Sequence, residues 1–255
     1  MLRVTKLAKS FGAVRAVDGV SFDVGAGELV ALIGPNGAGK STCFNLLNGQ
    51  LAPDSGRVEL DGSEITGRGP RAVWRLGVGR TFQVTATFTS MSVRENVQMV
   101  LLSQRRRLLE LWSSATHRYR DEALSLLAQV GMAEQAERAC SLLAYGDLKR
   151  LEIAMALASA PRLLLMDEPT AGMGPKERDE LMALTAELTA QRHLAVLFTE
   201  HSMDVVFRYA TRVLVMARGR LIAEGDPASV RDNAQVQAVY LGTGATFRAH
   251  ALLNA

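Results

Sequence analysis

Cysteine is nearly missing from this chain: Cys43 and Cys140 are the only two in 255 residues. Cys43 falls in a helix-forming run, a poor place for a disulfide, so a disulfide-stapled fold is excluded and a reducing, cytosolic compartment fits. No uncharged apolar stretch approaches the roughly 20 residues that a membrane span needs. The N-terminus, Met1-Leu2-Arg3-Val4-Thr5, lacks the basic region and apolar core of a signal peptide. A membrane role therefore has to come through a partner. Charge of one sign is also lacking, with 29 basic against 26 acidic residues and a formal net charge of +3. So mild an excess gives little support to a nucleic-acid partner. There is no internal repeat, no low-complexity tract and no sustained heptad pattern. What remains is 48% hydrophobic content, ample for one core, or one domain with lobes.

The pattern along the chain changes twice. The first stretch alternates, as in Val20-Ser21-Phe22-Asp23-Val24, and Arg57-Val58-Glu59-Leu60 followed by Asp61-Gly62 reads as a strand and hairpin turn. These short strands predict an antiparallel sheet beside a parallel core. From about Met91 to Leu157, apolar residues are spaced among charges without a strand-like run, which predicts a helical lobe. Strands then resume at Leu163-Leu164-Leu165-Met166, Ala195-Val196-Leu197-Phe198 and Arg212-Val213-Leu214-Val215-Met216, the last followed by an Arg218-Gly219 turn. The helical stretch thus reads as an insertion into one α/β core. Within it, Arg105-Arg106-Arg107, Trp112 and Arg118-Tyr119-Arg120 interleave basic and aromatic residues. They are read as a solvated face, with anionic lipid or a membrane subunit as the next candidate contact.

One segment carries most of the chemistry. Gly34-Pro35-Asn36-Gly37-Ala38-Gly39-Lys40-Ser41-Thr42 matches G-x-x-x-x-G-K-[ST], the phosphate-binding loop. The apolar run Leu29-Val30-Ala31-Leu32-Ile33 enters it and Cys43-Phe44-Asn45-Leu46-Leu47 leaves it, the strand, turn and helix that the motif requires. Glycines let successive backbone N–H groups face one centre at a helix N-terminus. Lys40 can then reach β- and γ-phosphates, and the Ser41 hydroxyl can ligate Mg²⁺.

The second half supplies partners for that loop. Asp167 and Glu168 stand at the C-terminal end of an apolar strand, where ligands bind in open α/β sheets. Beside such a loop Asp167 is the natural water-mediated Mg²⁺ ligand, and Glu168 is placed to polarise an attacking water. Thr199-Glu200-His201 ends the next strand, so His201 can hydrogen-bond a γ-phosphate oxygen and report its presence. The competing reading of His201 is a structural or solvated histidine. Gln83, after Gly79-Arg80-Thr81-Phe82, can ligate Mg²⁺ or hold the hydrolytic water, or be an ordinary loop glutamine. Leu143-Ala144-Tyr145-Gly146-Asp147 precedes a helical run and forms either a second anion site or a plain helix start.

In this order these elements resemble an ATP-binding subunit of an ABC transporter, over roughly residues 1–244. The resemblance implies a P-loop NTPase (RecA-like) α/β core with an antiparallel β subdomain over 1–87 and 158–244, an inserted helical subdomain over 88–157, and a tail over 245–255. The phosphate loop corresponds to the family's Walker A motif and Leu163 to Asp167 to Walker B. Glu168 corresponds to the catalytic glutamate, Gln83 to the Q-loop and His201 to the H-loop. Phe11 resembles the aromatic residue that stacks on adenine. Ala144, Tyr145, Gly146 and Asp147 occupy the place of the signature, usually Leu-Ser-Gly-Gly-Gln. The implied cofactors are ATP and Mg²⁺, with Ser41, Gln83 and Asp167 on the metal.

The departures narrow the subfamily. Ala144 removes a hydroxyl that would contact the γ-phosphate, while Gly146 and the helix N-terminus keep the backbone anion site. Leu-Ala-Tyr-Gly is similar to the branched-chain amino-acid importers. So are Arg80-Thr81-Phe82-Gln83, Glu168-Pro169-Thr170-Ala171-Gly172-Met173 and the tail from Gly225-Asp226-Pro227 to Tyr240-Leu241-Gly242. Gly174 stands where that subfamily often has asparagine. The resemblance implies a head-to-tail homodimer, or a heterodimer with a related ATP-binding subunit, each ATP lying between one chain's phosphate loop and the other's residues 144–147. It further implies two integral-membrane permease subunits, a periplasmic or extracellular binding protein, no nucleic acid, and a place on the cytoplasmic face of a bacterial inner membrane. An exporter ATPase of the lipid type and a soluble ABC ATPase are the alternatives.

Overall fold

The computed structural model describes residues 1–81, 87–104 and 119–241. Alternation governs its first part. β1 (Leu2–Phe11) and β2 (Val14–Val24) pair antiparallel, and in β2 Val20, Phe22 and Val24 are buried while Ser21 and Asp23 face water. β3 (Leu29–Ile33) instead is buried at every position, as a strand covered on both faces must be. It runs through the glycine-rich loop into α1 (Lys40–Leu47). β4 (Ser55–Leu60) and β5 (Ser63–Glu64) turn at Asp61 and Gly62, both with positive φ, and close an antiparallel sheet of order β2-β1-β4-β5. That is the expected antiparallel sheet. α2 (Pro70–Arg75) and β6 (Val78–Thr81) follow.

The middle of the chain is helical in its described residues: α3 (Val93–Gln104), α4 (Arg120–Gln129), two single 3-10 turns and α5 (Tyr145–Ala158). β7 (Leu163–Asp167), α6 (Pro175–Arg192), β8 (Ala195–Thr199), α7 (Met203–Tyr209), β9 (Arg212–Ala217) and β10 (Arg220–Gly225) then complete a six-stranded sheet of order β10-β9-β3-β8-β7-β6. Five of its strands are parallel and β10 runs back along β9. α8 (Pro227–Asp232) and α9 (Ala234–Leu241) end the described chain.

The parallel strands divide their side chains between two cores with period two. Val30, Leu32, Leu163, Leu165, Ala195, Leu197, Leu214 and Met216 face α1 and the antiparallel sheet. Their neighbours Leu29, Ala31, Ile33, Leu164, Met166, Val196, Phe198, Val213 and Val215 face the helices α3 to α6. Each such fully buried Val or Leu contributes about 1.5–3 kcal/mol, so the sheet is held from both sides. It thereby presents the C-terminal ends of β3, β7 and β8 as one fixed edge.

The sheet is wider than the sequence pattern indicates. β6 and β10 were not expected as strands, nor α2 as a helix. Val78-Gly79-Arg80-Thr81 is a four-residue edge strand with a glycine and an arginine, too short and too polar to show a period. The signal for β10 was the positive-φ turn at Arg218 and Gly219, which joins β9 to its antiparallel partner. Gln83, residues 105–118 of the basic and aromatic segment, and the tail over 245–255 lie outside the described residues.

Candidate active site

The loop after β3 closes through glycines that nothing else can replace. A Cβ on Gly34 (φ 152°) would stand 2.2 Å from the Met216 carbonyl oxygen, and one on Gly39 (φ 105°) 2.1 Å from that of Ala16. The curl is held by Ala38 N–H donating to the Pro35 carbonyl (3.1 Å) and by Gly219 N–H donating to that of Ala38 (3.0 Å). Gly39 caps α1 without a side-chain acceptor, and no acidic residue stands in the helix's first turn. The N–H groups of that turn therefore face the loop with no acceptor from the cap or from an acidic side chain of the helix's own first turn.

Lys40 is the charge at that centre. Its ammonium donates to the carbonyls of Gly34 (2.7 Å) and Pro35 (3.2 Å), and only 8% of the residue is exposed. Burial pulls its pKa below the ordinary lysine value, and the carboxylates of Glu168 and Asp167 pull it partly back. A further anion in the loop would complete that compensation.

Two strand ends bring the acids. Asp167 closes β7, where its Oδ1 accepts from Thr199 Oγ1 (2.7 Å) and its Oδ2 from Arg80 (3.3 Å). Glu168 follows in the left-handed region (φ 48°), a conformation that costs a non-glycine residue free energy. Its N–H is held by the Thr199 carbonyl (3.2 Å) and Oγ1 (3.1 Å). That turn aims the carboxylate at His201, whose Nε2 lies 2.9 Å from Glu168 Oε1. Behind both, the buried carboxylate of Glu200 accepts from Thr170 N–H (3.0 Å), Thr170 Oγ1 (2.5 Å) and His201 N–H (3.0 Å). The loops after β7 and β8 are thus stapled into one unit.

Asn36 to Thr42, Asp167, Glu168, Thr199 and His201 line one open cavity of about 480 Å³. The expected phosphate-loop residues and the strand-end residues therefore meet, across some 130 to 160 positions of sequence.

A family model for the ABC transporter matches residues 17–171. This chain belongs to the ABC transporter family. A second model, of the branched-chain amino acid ATP-binding cassette transporter, matches residues 220–246. The chain is 40% identical over 252 residues to the high-affinity branched-chain amino acid transport ATP-binding protein BraF of Pseudomonas aeruginosa, covering 95% of this chain and 98% of that one. It is 38% identical over 249 residues to the protein LivG of the same description from Escherichia coli, again covering 95% and 98%. The ADP conformation of an ATP-binding cassette of an ABC transporter, a crystal structure, matches with a TM-score of 0.84 at 31% identity, over 95% of this chain and 98% of that one.

The other described residues expected at the site do not line this cavity. Ala144 caps α5 with extended backbone and no side-chain hydrogen bond. Tyr145 is 42% exposed, with Lys149 Nζ 5.5 Å from its ring centroid. Neither these two nor Gly146 nor Asp147 lines the chain's own phosphate-loop cavity. Phe11, at the end of β1, is 49% exposed beside Lys9 and does not line it either. Gly174 caps α6, its N–H donating to Glu177 Oε2 (3.2 Å).

Sequence reasoning missed several wall residues. Val14, Arg15 and Arg218 line the cavity. They get there because β2 and the β9–β10 turn pass beside the loop, an adjacency no local pattern encodes. Arg80 was noted only as part of a subfamily block, yet it holds the acid that faces the loop.

Proposed function

We propose that this chain is the ATP-hydrolysing subunit of an importer for branched-chain or other hydrophobic amino acids. The observation that carries the ATPase is the single cavity in which Lys40, the N-terminus of α1, Asp167, Glu168 and His201 converge. The substrate class is supported by the branched-chain amino acid transport proteins among its relatives and by the match over residues 220–246.

The roles follow from the chemistry of each group. The phosphate-loop N–H groups and Lys40 bind the β- and γ-phosphates and offset their charge. Glu168, held in place by His201, accepts a proton from water as the water oxygen attacks the γ-phosphorus. The bond to the bridging oxygen breaks, and ADP and inorganic phosphate leave. A hydroxyl at Ser41 and a carboxylate at Asp167 on one cavity wall are the hard oxygen donors that Mg²⁺ takes. Thr199 and Arg80 occupy one acceptor position on each Asp167 oxygen and leave others open. Ser41 and Asp167, with Gln83, would hold the ion, which neutralises phosphate charge when bound.

Because residues 144–147 do not line the cavity of their own chain, they are assigned to the cavity of a second copy or of a related ATP-binding subunit. Phe11 is assigned to the adenine. Among the described residues no helix is long and apolar enough to cross a membrane. Transport then needs two membrane permeases, and, for import, an external binding protein. An apolar groove of about 430 Å³ between β6, α2, α3 and α5, lined by Trp74, Val100 and Met155, suits a permease segment. Such an assembly lies at the cytoplasmic face of the membrane.

Glu168→Gln tests the assignment. Its amide keeps the shape but takes no proton, so turnover falls by about 10²- to 10⁴-fold while ATP binding persists and an ATP-dependent dimer appears in gel filtration. Turnover near wild type would remove Glu168 from its role. Copurification of the tagged chain without two hydrophobic membrane proteins would remove the transporter assignment.

A further inference from the structure

Arg80 belongs to two places at once. Its guanidinium donates through Nη2 to Asp167 Oδ2 (3.3 Å), and through Nη1 to Asn45 Oδ1 of α1 (2.9 Å) and to Gln50 Oε1 (3.1 Å). Both partners of the ion pair are largely buried, at 14% exposure each. The same residue lines the apolar groove beside Trp74 and Met155. One planar group therefore joins the β7 acid to the helix that follows the phosphate loop, and forms part of the wall of a second cavity, the apolar groove.

We infer that Arg80 is the positioning residue through which the occupancy of this groove sets the hold on Asp167. The inference rests on the reading of the cavity as a site for ATP and Mg²⁺. The physical argument has two steps. A guanidinium fork bonds partners on three segments simultaneously, which a lysine ammonium on a flexible stem does not reproduce. Filling the groove removes water from around that fork, and a charge-assisted bond in a drier setting grips harder. Asp167 is then more ordered, and an ordered carboxylate binds a cation with less loss of freedom. Groups that orient a metal ligand are worth about 10- to 100-fold in metal affinity.

The experiment uses the full-length chain and a fluorescent, non-hydrolysable ATP analogue, titrated with MgCl₂ and separately without metal. Arg80→Lys keeps the charge and breaks the fork. The Mg²⁺ concentration for half-saturation rises about tenfold, while affinity for the metal-free analogue stays at the wild-type value, which also reports a folded phosphate loop. Ser103→Trp, at an exposed position of α3 on the groove wall, fills the groove from within the chain. It lowers the half-saturation by about two- to threefold in the wild type and leaves it unchanged in Arg80→Lys. Asn45→Ala loosens the fork from its other side and gives a second reading should Arg80→Lys not fold: half-saturation again rises. An Mg²⁺ response unaltered by Arg80→Lys or by Asn45→Ala overturns the inference. So does a Ser103→Trp shift that is absent, or equal in both backgrounds. These failures leave nucleotide binding intact, whereas a wild-type chain that binds no analogue would overturn the ATPase reading as well.

Discussion

Two helix N-termini in this molecule invite comparison. α1 begins at Gly39 and α5 at Ala144, and neither has a side-chain cap. Each therefore offers unpaired backbone N–H groups and a partial positive charge, which at α5 is offset by Asp147 in the first turn. Around α1 the chain builds a wall: Lys40 folded onto the loop, two acids, a histidine, and a turn from β9–β10 bonded to Ala38. Around α5 the described residues build no such wall. Leu142 is 64% exposed and Tyr145 42%, and a Cβ on Gly146 would meet nothing nearer than Glu177 and Met173, at 3.8 Å or more. An N-terminus alone is half a site. The first is completed by its own fold, and the second asks for another molecule.

The largest effect expected from this difference lies at Lys40. Lys40→Ala lowers hydrolysis by at least about 10²-fold and abolishes tight ATP binding by the isolated chain. Asp147→Ala, at the second N-terminus, leaves that binding within about twofold of wild type. Equilibrium binding of both variants decides the matter, and equal losses would end the distinction.

Glycine substitutions sharpen it next. Gly39→Ala forces a Cβ against the Ala16 carbonyl in a left-handed conformation, for about 1–3 kcal/mol or more. Gly146→Ala meets nothing nearer than 3.8 Å and gains about 0.5–1 kcal/mol of helix propensity. Thermal unfolding should show opposite signs, and a stabilised Gly39→Ala would refute the close approach. Smaller still is Ala144→Ser. Its hydroxyl adds at most about 1.5–3 kcal/mol to ATP-dependent dimerisation, less where the Tyr145 ring already fills the space. Dimer affinity in a Glu168→Gln background measures it, and no change would leave the contact to the backbone near Gly146.

The smallest effect is a pH dependence. Burial lowers the Lys40 pKa in the folded chain below the ordinary value of 10.5. Between the two values the unfolded state binds more protons, so stability of the ATP-free chain rises with pH through that window. Lys40→Met removes the buried charge, so its unfolding temperature exceeds wild type at pH 7 and the gap narrows toward pH 10. A gap that widens with pH contradicts the sign.

How much was legible follows the same division. The phosphate loop and the acids at the end of β7 were readable because each is local: a spacing of glycines, or an apolar run ending in charge. His201 was readable as a position, since it ends a strand, but its 2.9 Å contact with Glu168 depends on β7 and β8 being neighbours. The staple through Glu200 was invisible for the same reason, because Thr170 lies thirty residues away. Arg80 escaped because its strand is four residues long and at the sheet's edge. Gln83 and its loop were legible only as sequence.

Gly219 constrains the design of hybrids. Its N–H holds the Ala38 carbonyl, and the segment matching the branched-chain subfamily begins at the very next residue. The tail that distinguishes this cassette from its cousins is thus joined, through the residue just before it, to the loop they share. A chimaera made by exchanging tails at Arg218 cuts through that join. Its turnover would then report the seam as well as the graft, and a crossover after β8, upstream of the whole β9–β10 hairpin, keeps the two apart.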